Sequence, residues 1–304
     1  MDKILITGAL GQLGTEFIKH FKKLNVFVLA TDIKLPKSKL PCEFEQADSL
    51  DKTRINELVK KHDINIIYHL VAILSASGEK DPFKSWKLNM NSFQNIAEIS
   101  VENNIKKVFW PSSMAVFGTE SKLDLVIQNP LMNPSTMYGI TKLVSEKLME
   151  YYFNRFRLDI RSLRYPGIVS VETAPGGGTT DYIIDMINAA KKGIDYTCFL
   201  DENTELPMMY IDDAINSAIT LMSAKKSNLS ILGSYNITGF SITPKKLLNE
   251  IKSNGFNLKV NYEPDFRQKI ADSWPKKIDD SSSKKDWGWN PEFGLKETII
   301  EALK

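Results

Sequence analysis

The sequence predicts an α/β fold with a doubly wound parallel sheet and a small, mixed C-terminal lobe. Short apolar runs alternate with amphipathic helical runs as far as residue 170, and this alternation is typical of parallel sheets with helices on both faces. A glycine-rich turn also joins the first apolar run directly to the first helical run. Beyond residue 170 the rhythm breaks. We therefore expect a main domain over residues 1–170 and a smaller lobe over 171–304, with some elements returning to the main domain.

The predicted strands of the main domain are apolar runs that end in small or polar residues. They are expected over residues 3–7, 25–31, 44–47, 64–71, 106–111 and 159–170, with helices over 15–23, 51–61, 83–103 and 138–156. The C-terminal lobe is expected to contain a flexible loop over 175–181, a helix over 182–192, short strands and helices over 196–200, 206–211, 214–222, 244–252 and 258–262, and a solvated loop over 279–285.

Composition excludes several classes of protein. The 39 basic and 37 acidic residues are intermixed, with a formal net charge of +2, so no basic stripe indicates a nucleic-acid partner. No apolar run approaches the ~18 residues of a membrane helix, and no signal peptide precedes the first strand. The two cysteines are distant in sequence, which fits the reducing cytosol. The three histidines have no metal-binding spacing, and His69, within an apolar run, is expected to be a hydrogen-bonded core residue. We expect a cytoplasmic, metal-independent protein.

The glycine-rich turn is Gly8-Ala-Leu-Gly11-Gln-Leu-Gly14, placed between the first strand and the first helix. Glycines at this position let the backbone approach a pyrophosphate, which then faces the helix N-terminus. The spacing is G-x-x-G-x-x-G. The turn therefore predicts a Rossmann-type domain that binds a dinucleotide.

Asp32 follows the second predicted strand and decides which dinucleotide we expect. A carboxylate at this position accepts both hydroxyls of the adenosine ribose of NAD and repels the 2′-phosphate of NADP. Lys34, Lys37 and Lys39 lie just beyond and would favour NADP, but a solvated loop explains them as well. We expect NAD.

Tyr138 and Lys142 are the residues on which we expect proton transfer to depend. They lie four residues apart on a predicted helix, so both side chains project from one face. A neighbouring ammonium favours the phenolate and brings a tyrosine closer to general-base function near neutral pH. The alternative is a surface tyrosine beside a surface lysine, because this spacing is common by chance.

Together these residues resemble the extended short-chain dehydrogenases/reductases. The resemblance extends over the whole chain and includes the glycine turn, Ser113 before Met-Ala-Val-Phe-Gly118, and Tyr138-x-x-x-Lys142. Six further stretches resemble the L-threonine 3-dehydrogenases of the UDP-galactose epimerase-like type: residues 73–82, 163–170, 177–182, 196–200, 206–210 and 270–275.

The resemblance implies NAD-dependent oxidation of L-threonine at C3 to 2-amino-3-oxobutyrate. Tyr138 would be the general base, assisted by Lys142 and Ser113. The implied cofactor contacts are Gly8, Gly11, Gln12, Leu13, Gly14, Asp32, Ile33, Asp48, Ser49, Leu70, Val71, Ala72, Asn89, Tyr138, Lys142, Tyr165, Pro166 and Ile168. The implied substrate contacts are Ser75, Ser113, Tyr138, Gly178, Thr179, Thr180 and Trp274.

Some alternatives stay open at this stage. Asp181 either caps the following helix or contacts the substrate ammonium, and Trp274 is either a lid over the substrate or a core residue of the small lobe. A nucleotide-sugar epimerase or dehydratase shares the same motifs, and a non-catalytic NAD-binding protein is a more distant alternative.

The resemblance also implies partners. A homodimer would form through the two long helices, where Ile96, Ile99, Val144 and Leu148 either line the subunit contact or face the sheet. The unstable product would be passed to a coenzyme-A-dependent 2-amino-3-oxobutyrate ligase.

Overall fold

The computed structural model describes residues 2–121, 124–171 and 176–304. Its strands are β1 (Lys3–Thr7), β2 (Phe27–Asp32), β3 (Glu43–Gln46), β4 (Ile66–His69), β5 (Lys107–Phe109), β6 (Ser112–Ser113), β7 (Ile160–Tyr165), β8 (Gly167–Val169), β9 (Tyr196–Cys198), β10 (Leu206–Tyr210), β11 (Ser234–Asn236), β12 (Phe240–Ile242) and β13 (Val260–Tyr262). Its α-helices are α1 (Gln12–Lys23), α2 (Lys52–Lys61), α3 (Ser75–Gly78), α4 (Pro82–Glu102), α5 (Met137–Phe156), α6 (Tyr182–Lys192), α7 (Ile211–Ser223), α8 (Pro244–Ser253), α9 (Phe266–Asp272), α10 (Ser281–Trp287) and α11 (Leu295–Leu303). Short 3₁₀ helices cover Met114–Val116 and Lys226–Asn228.

The main sheet has the strand order β11-β7-β5-β4-β1-β2-β3, and β6 also pairs with β7. Every neighbouring pair in this sheet is parallel. The predicted parallel, Rossmann-like sheet is therefore confirmed. Its order reverses at β1, which places β2 and β4 on opposite sides of the glycine turn, where ligands of open α/β sheets bind.

Two cores cover the two faces of this sheet. Ile4 and Ile6 of β1 pack into one core with α1 and α7, whereas Leu5 packs into the other with α2 and α4. Neighbouring residues pack into opposite cores because successive side chains of a strand point to opposite faces of the sheet. Each fully buried aliphatic side chain contributes roughly 1.5–3 kcal/mol relative to exposure, so both layers of helices are held mainly by these apolar faces.

The expectation of one continuous strand over residues 159–170 was wrong. The chain forms β7 in the main sheet and β8 in a second sheet of order β12-β10-β8, with Pro166 between them. Proline has no backbone N–H to donate to a strand ladder, so the pairing changes partners at this residue. A two-stranded sheet, β13-β9, belongs to the same C-terminal region.

Several C-terminal elements pack on the main domain. The strand β11 extends the main sheet beside β7, and α7 shares a core with α1. The solvated loop expected over 279–285 was wrong, because this stretch enters α10, whose Trp287 is buried with Trp289 in the main core. The boundary at residue 170 remains a prediction.

The two long helices α4 and α5 pack side by side on one face of the sheet. Ile96 and Ile99 are fully buried in the core, so these two residues face the sheet and are not available to a subunit contact. Leu148 is partly buried against the same core. Within the described residues, no helix is long and apolar enough to cross a bilayer.

The close approach of α5 to the turn after β6 yields a first prediction. A Cβ on Gly139 would collide with the carbonyl oxygen of Ala115 and lie 2.8 Å from Cβ of Pro134. We expect Gly139→Ala to lower the free energy of unfolding by about 1–3 kcal/mol, because overpacking outweighs the helix propensity gained. Urea denaturation measures the change.

Lys147→Ala is the matched control, because this exposed residue of the same helix can be shortened without a collision. Its effect should stay within about 0.5 kcal/mol. A Gly139→Ala variant as stable as the control would contradict the proposed close packing of α5.

Candidate active site

The glycine turn after β1 forms a cradle that side chains would fill. Gly8 has a φ of +70°, and a Cβ there would lie 3.1 Å from the backbone nitrogen of Val71. A Cβ on Gly14 would lie 2.6 Å from the carbonyl oxygen of Ala9. The helix α1 begins at Gln12, three residues earlier than expected, so Gln12, Leu13 and Gly14 form its first turn. Free amides at this N-terminus suit a pyrophosphate.

Asp32 closes one side of this cradle. It is the last residue of β2, and its Oδ2 accepts a hydrogen bond from the backbone N–H of Leu10 at 3.1 Å. Its Oδ1 accepts from the N–H of Lys34 at 3.1 Å. The carboxylate is thus fixed beside the glycine turn. Glycines that leave room for a dinucleotide and a carboxylate placed for the ribose fit NAD.

The remaining predicted cofactor contacts lie around the same strand ends. Ile33 and Asp48 are exposed after β2 and β3, while Ser49 is buried and its carbonyl oxygen accepts from the side-chain amide of Asn95. Leu70, Val71 and Ala72 follow β4 and are partly buried. Pro166 and Ile168 lie at the switch from β7 to β8. The Tyr165 side chain is buried in the core and donates to the carbonyl oxygen of Ala214 at 2.7 Å.

Tyr138, Ser113 and Lys142 come together at the N-terminal end of α5. Thr136 caps this helix, and its hydroxyl accepts from the N–H of Gly139 at 3.1 Å. Tyr138 is half-buried in the first turn and shares a hydrogen bond with Ser113. Ser113 is the last residue of β6 and directly precedes the 3₁₀ helix Met114–Val116. Its hydroxyl therefore lies at the strand end, where the first turn of α5 meets it. The cluster brings together a phenol, an alcohol and an amine at the carboxyl ends of the strands.

Lys142 is almost completely buried. Its Nζ donates to the carbonyl oxygen of Pro111 at 2.5 Å and lies 4.0 Å from the ring centroid of Trp110 and 5.6 Å from that of Tyr138. The aromatic faces and the carbonyl oxygen all favour a cation. The surface-pair alternative for Tyr138 and Lys142 is therefore excluded by their surroundings.

Burial dominates the titration of both residues. It raises the pKa of Tyr138 to about 12, while the hydrogen bond with Ser113 acts in the lowering direction. Burial also lowers the pKa of Lys142 to about 7, and the charge of Glu146 opposes that fall. The net pKa shift of the tyrosine is thus opposite to the one expected from a neighbouring lysine alone, because removal from water disfavours both charged forms.

Asn89 ties three elements together. Its Oδ1 accepts from the N–H of Ile73 at 2.8 Å, and its Nδ2 donates to the carbonyl oxygen of Ile73 and to Oγ1 of Thr141. These bonds join α4, the segment after β4 and α5. The asparagine thereby fixes the backbone that follows Ala72 in the predicted cofactor site. His69 is hydrogen-bonded to Thr7 and Ser92 in the core, as expected.

The loop from Gly176 to Asp181, which we call the glycine loop, faces α3. The hydroxyls of Ser75 and Thr179 lie 3.1 Å apart, and the N–H of Thr179 donates to Oγ of Ser75 at 3.3 Å. The N–H of Ser77, a residue that sequence reasoning missed, donates to the carbonyl oxygen of Gly177. Pro175 of the predicted loop lies outside the described residues. The glycine loop is thus held to α3 by its backbone and its hydroxyls.

Asp181 does not act as the predicted helix cap. Its side chain makes no capping hydrogen bond to α6. Instead, Oδ2 accepts from the N–H groups of Gly177 and Gly178 at 2.9 and 2.8 Å, which closes the glycine loop on itself. Thr180 packs closely against Gly167. Trp274 is 5% exposed and belongs to the core of the small lobe, so the structure favours the core alternative for this residue.

A cavity of about 180 Å³ lies beside the glycine loop. Lys80 and Arg267 contribute positive charge to its wall, although Arg267 also forms a bidentate pair with Asp265. The volume is close to that of a small metabolite and suits an anionic group. The full lining is Ala76, Ser77, Lys80, Gly177, Gly178, Phe266 and Arg267.

These features define a Rossmann-type fold with a cradle for a nicotinamide dinucleotide and a tyrosine, a serine and a lysine grouped at the same strand ends. The model of the NAD dependent epimerase/dehydratase family matches residues 4–238, and the chain belongs to this family. NAD, when bound, accepts a hydride at nicotinamide C4. Because solved L-threonine dehydrogenases are similar to this chain along its length, the protein is an NAD-dependent oxidoreductase.

Three similar proteins illustrate the resemblance. An uncharacterized epimerase/dehydratase of Staphylococcus aureus (strain MRSA252) is 40% identical, with 100% of this chain and 97% of that protein covered. The holo form of a GalE-like L-threonine dehydrogenase from Cupriavidus necator is 42% identical with a TM-score of 0.96, covering 99% and 98% of the two chains. The apo form of a monomeric L-threonine 3-dehydrogenase from a metagenome is 40% identical with a TM-score of 0.95, covering 99% and 97%. The predicted resemblance is confirmed.

The position of Asp32 yields a second prediction. We expect Asp32→Asn to raise the dissociation constant of NADH about tenfold or more, because hydrogen bonds to a charged acceptor contribute roughly 1.5–3 kcal/mol. The loss for NADPH should be smaller, since the neutral amide no longer repels its 2′-phosphate. Fluorescence titration measures both constants.

Asp63→Asn is the control, because Asp63 is exposed and pairs with Lys3, at the end of the sheet away from the glycine turn. It should leave both constants unchanged. An Asp32→Asn variant with unaltered NADH affinity would remove Asp32 from the cofactor site.

Proposed function

We propose that the protein catalyses the NAD-dependent oxidation of L-threonine at C3 to 2-amino-3-oxobutyrate. The observation that carries this proposal is the similarity to L-threonine dehydrogenases along the whole chain, including α3 and the glycine loop. L-threonine and NAD⁺ would give 2-amino-3-oxobutyrate, NADH and a proton. Oxidation removes the proton of the β-hydroxyl and a hydride from C3, so the site must provide a base and fix the orientation of C3.

Tyr138 is the proposed base. Its hydroxyl shares a hydrogen bond with Ser113, and a substrate alcohol placed between the two oxygens could be aligned by one and deprotonated by the other. The raised pKa of Tyr138 means that the phenolate needs added positive charge. Lys142 supplies that charge when protonated, and the bound cofactor would also contact it through the nicotinamide ribose.

The proposed substrate contacts are the hydroxyls and amides around the glycine loop. Ser75, Thr179 and Thr180 would hold the carboxylate and the ammonium, together with the backbone of Gly178. Because Ser75 and Thr179 are buried and bonded to each other, substrate binding would require this contact to open or to be shared. Trp274 lies in the core and would support the substrate site from behind.

A nucleotide-sugar epimerase or dehydratase is the alternative function. Such an enzyme must grip a nucleoside diphosphate, usually through cationic side chains. Lys80 and Arg267 are cations beside the glycine loop, but Arg267 is already paired with Asp265 and the cavity there is about 180 Å³. These features favour the smaller ligand.

We further propose a cytoplasmic homodimer that passes its product to a 2-amino-3-oxobutyrate CoA ligase. Cys42 and Cys198 are unpaired, which suits a reducing compartment. Phe83 and Trp86 near the start of α4 and Tyr151 and Phe156 near the end of α5 are exposed aromatic side chains that a second copy would cover. A β-keto acid product decarboxylates readily, so a ligase that consumes it at once is expected.

Substitution of the proposed base is the third prediction. We expect Tyr138→Phe to lose about a hundredfold or more of kcat for L-threonine oxidation, because general-base catalysis contributes roughly 10²–10⁴. NADH affinity should change little. The appearance of NADH absorbance measures the rate, and fluorescence titration measures the affinity.

Tyr151→Phe is the matched control, because Tyr151 is an exposed tyrosine on the same helix. It should retain full activity. Wild-type protein that is inactive on L-threonine but converts a UDP-sugar would establish the alternative function instead.

Closure of the glycine loop is the fourth prediction. L-threonine together with NADH should slow amide hydrogen exchange in residues 176–182, because enclosing a substrate excludes water from this segment. Mass spectrometry of peptides from this segment measures the change, and peptides from α8 serve as an internal control. Equal exchange with and without both ligands would argue against closure.

A further inference from the structure

A buried ion pair lies directly behind the proton-transfer site. Glu146 is 2% and Arg164 is 3% exposed, and Nη2 of Arg164 donates to Oε2 of Glu146 at 2.8 Å. Nε of Arg164 donates to both carboxylate oxygens, at 3.1 and 3.3 Å. A buried pair of this kind is weak evidence for stability, because desolvation offsets much of the attraction. Its position therefore requires another explanation.

Glu146 is joined to both halves of the site. It lies four residues after Lys142 on α5, so the two side chains share one face of the helix. Its Oε1 also accepts from the hydroxyl of Ser112 at 2.5 Å, and Ser112 immediately precedes Ser113. The same carboxylate thus holds the strand end that carries Ser113 and lies near enough to the Lys142 amine for its charge to act on that amine.

Among the described residues around Lys142, Glu146 is the anionic group that opposes the loss of the lysine charge. His69 on β4 is buried and its pKa falls to about 3, so it is neutral. Tyr138 is protonated, with a pKa of about 12. Arg164 is cationic and pairs with Glu146 through Nε and Nη2, while its Nη1 donates to the carbonyl oxygen of Gln128 and to Oδ1 of Asn236. Glu146 is the group whose charge raises the pKa of Lys142 against the effect of burial.

We propose that Glu146 is a positioning residue of the proton-transfer site: its buried carboxylate, held by Arg164, keeps the Lys142 ammonium charged beside Tyr138. This inference rests on the proposed function only in giving Lys142 a catalytic purpose. Arg164 holds the Glu146 carboxylate by hydrogen bonds from Nε and Nη2, and its Nη1 is anchored on the backbone of residue 128 and on β11. The charge state of Lys142 therefore depends on the edge of the main sheet.

The test is the titration of Lys142, read by NMR on protein labelled with ¹³C at the lysine ε-carbon. Exposed lysines titrate near pH ~10.4, whereas Lys142 should titrate near 7; Lys142→Met identifies its signal by removing it. Glu146→Gln should lower the midpoint by about one pH unit or more, because an adjacent opposite charge has been removed. The double variant Glu146→Gln/Arg164→Gln leaves no unpaired buried arginine, and its midpoint should fall by less than that of the single variant, because the positive charge of Arg164 is removed as well.

Two controls distinguish the loss of the Glu146 charge from a general disturbance of the fold. Glu146→Asp retains the carboxylate and should keep most of the wild-type midpoint. Glu150→Gln removes a partly exposed carboxylate, paired with Lys147, one turn further along α5 and should leave the midpoint unchanged. A folded neutral variant, single or double, in which Lys142 titrates as in the wild type would overturn the proposal.

The neutral variants should also have a lower kcat/KM at high pH. Lys142 loses its proton as the pH rises, so the neutral variants should lose the protonated lysine at lower pH than the wild type. At a pH above both midpoints, kcat/KM should fall about tenfold for each unit by which the midpoint drops. The titration uses protein without substrate, so a failure to oxidise threonine would refute the proposed function and leave this inference intact.

Discussion

The placement of α5 against the strand ends is the constraint on which the rest of the site depends. Burying the amine of Lys142 costs free energy, and the carbonyl oxygen of Pro111, the ring of Trp110 and the charge of Glu146 offset that cost. These contacts are possible only if the helix lies close to the segment after β5, and Gly139 permits the close approach of the same helix to the turn after β6. The same packing places Tyr138 beside Ser113. The relative positions of the proposed catalytic residues are therefore fixed by the packing of α5.

The glycine loop is held in a different way from α5. Its backbone is tied to α3 through Ser75 and Ser77 and to itself through Asp181. All of these contacts are hydrogen bonds of modest net energy, about 0.5–1.5 kcal/mol each. Tyr138, by contrast, packs against an apolar core, and Lys142 is buried against Trp110 and the carbonyl oxygen of Pro111.

Local pattern accounts for what could be predicted of the fold. Alternating apolar runs and the glycine turn predicted the parallel sheet, and the spacing of Tyr138 and Lys142 predicted their common face. The break at Pro166 was visible in sequence, but the change of sheet depends on β10, which lies some forty residues further along. The burial of Trp287 in α10 likewise depends on a distant core. Polar composition alone suggested a loop there.

The site could be predicted only in part for a related reason. Glu146 was visible at the spacing Lys142-x-x-x-Glu146, but its role depends on Arg164, which pairs with it across the fold. The direction of the tyrosine pKa shift was missed because burial is a property of the tertiary structure. Asp181 was expected to cap α6, and it turned instead to the glycine loop.

The proposed function requires that a hydride leave C3 of L-threonine at this site. The most direct measurement uses L-threonine deuterated at C3 with NAD⁺, followed by mass spectrometry of the reduced cofactor. We expect one deuterium on each NADH formed and a slower rate than with unlabelled substrate. Reduced cofactor without deuterium, or no reduction at all under conditions where NADH binds, would contradict the proposed function.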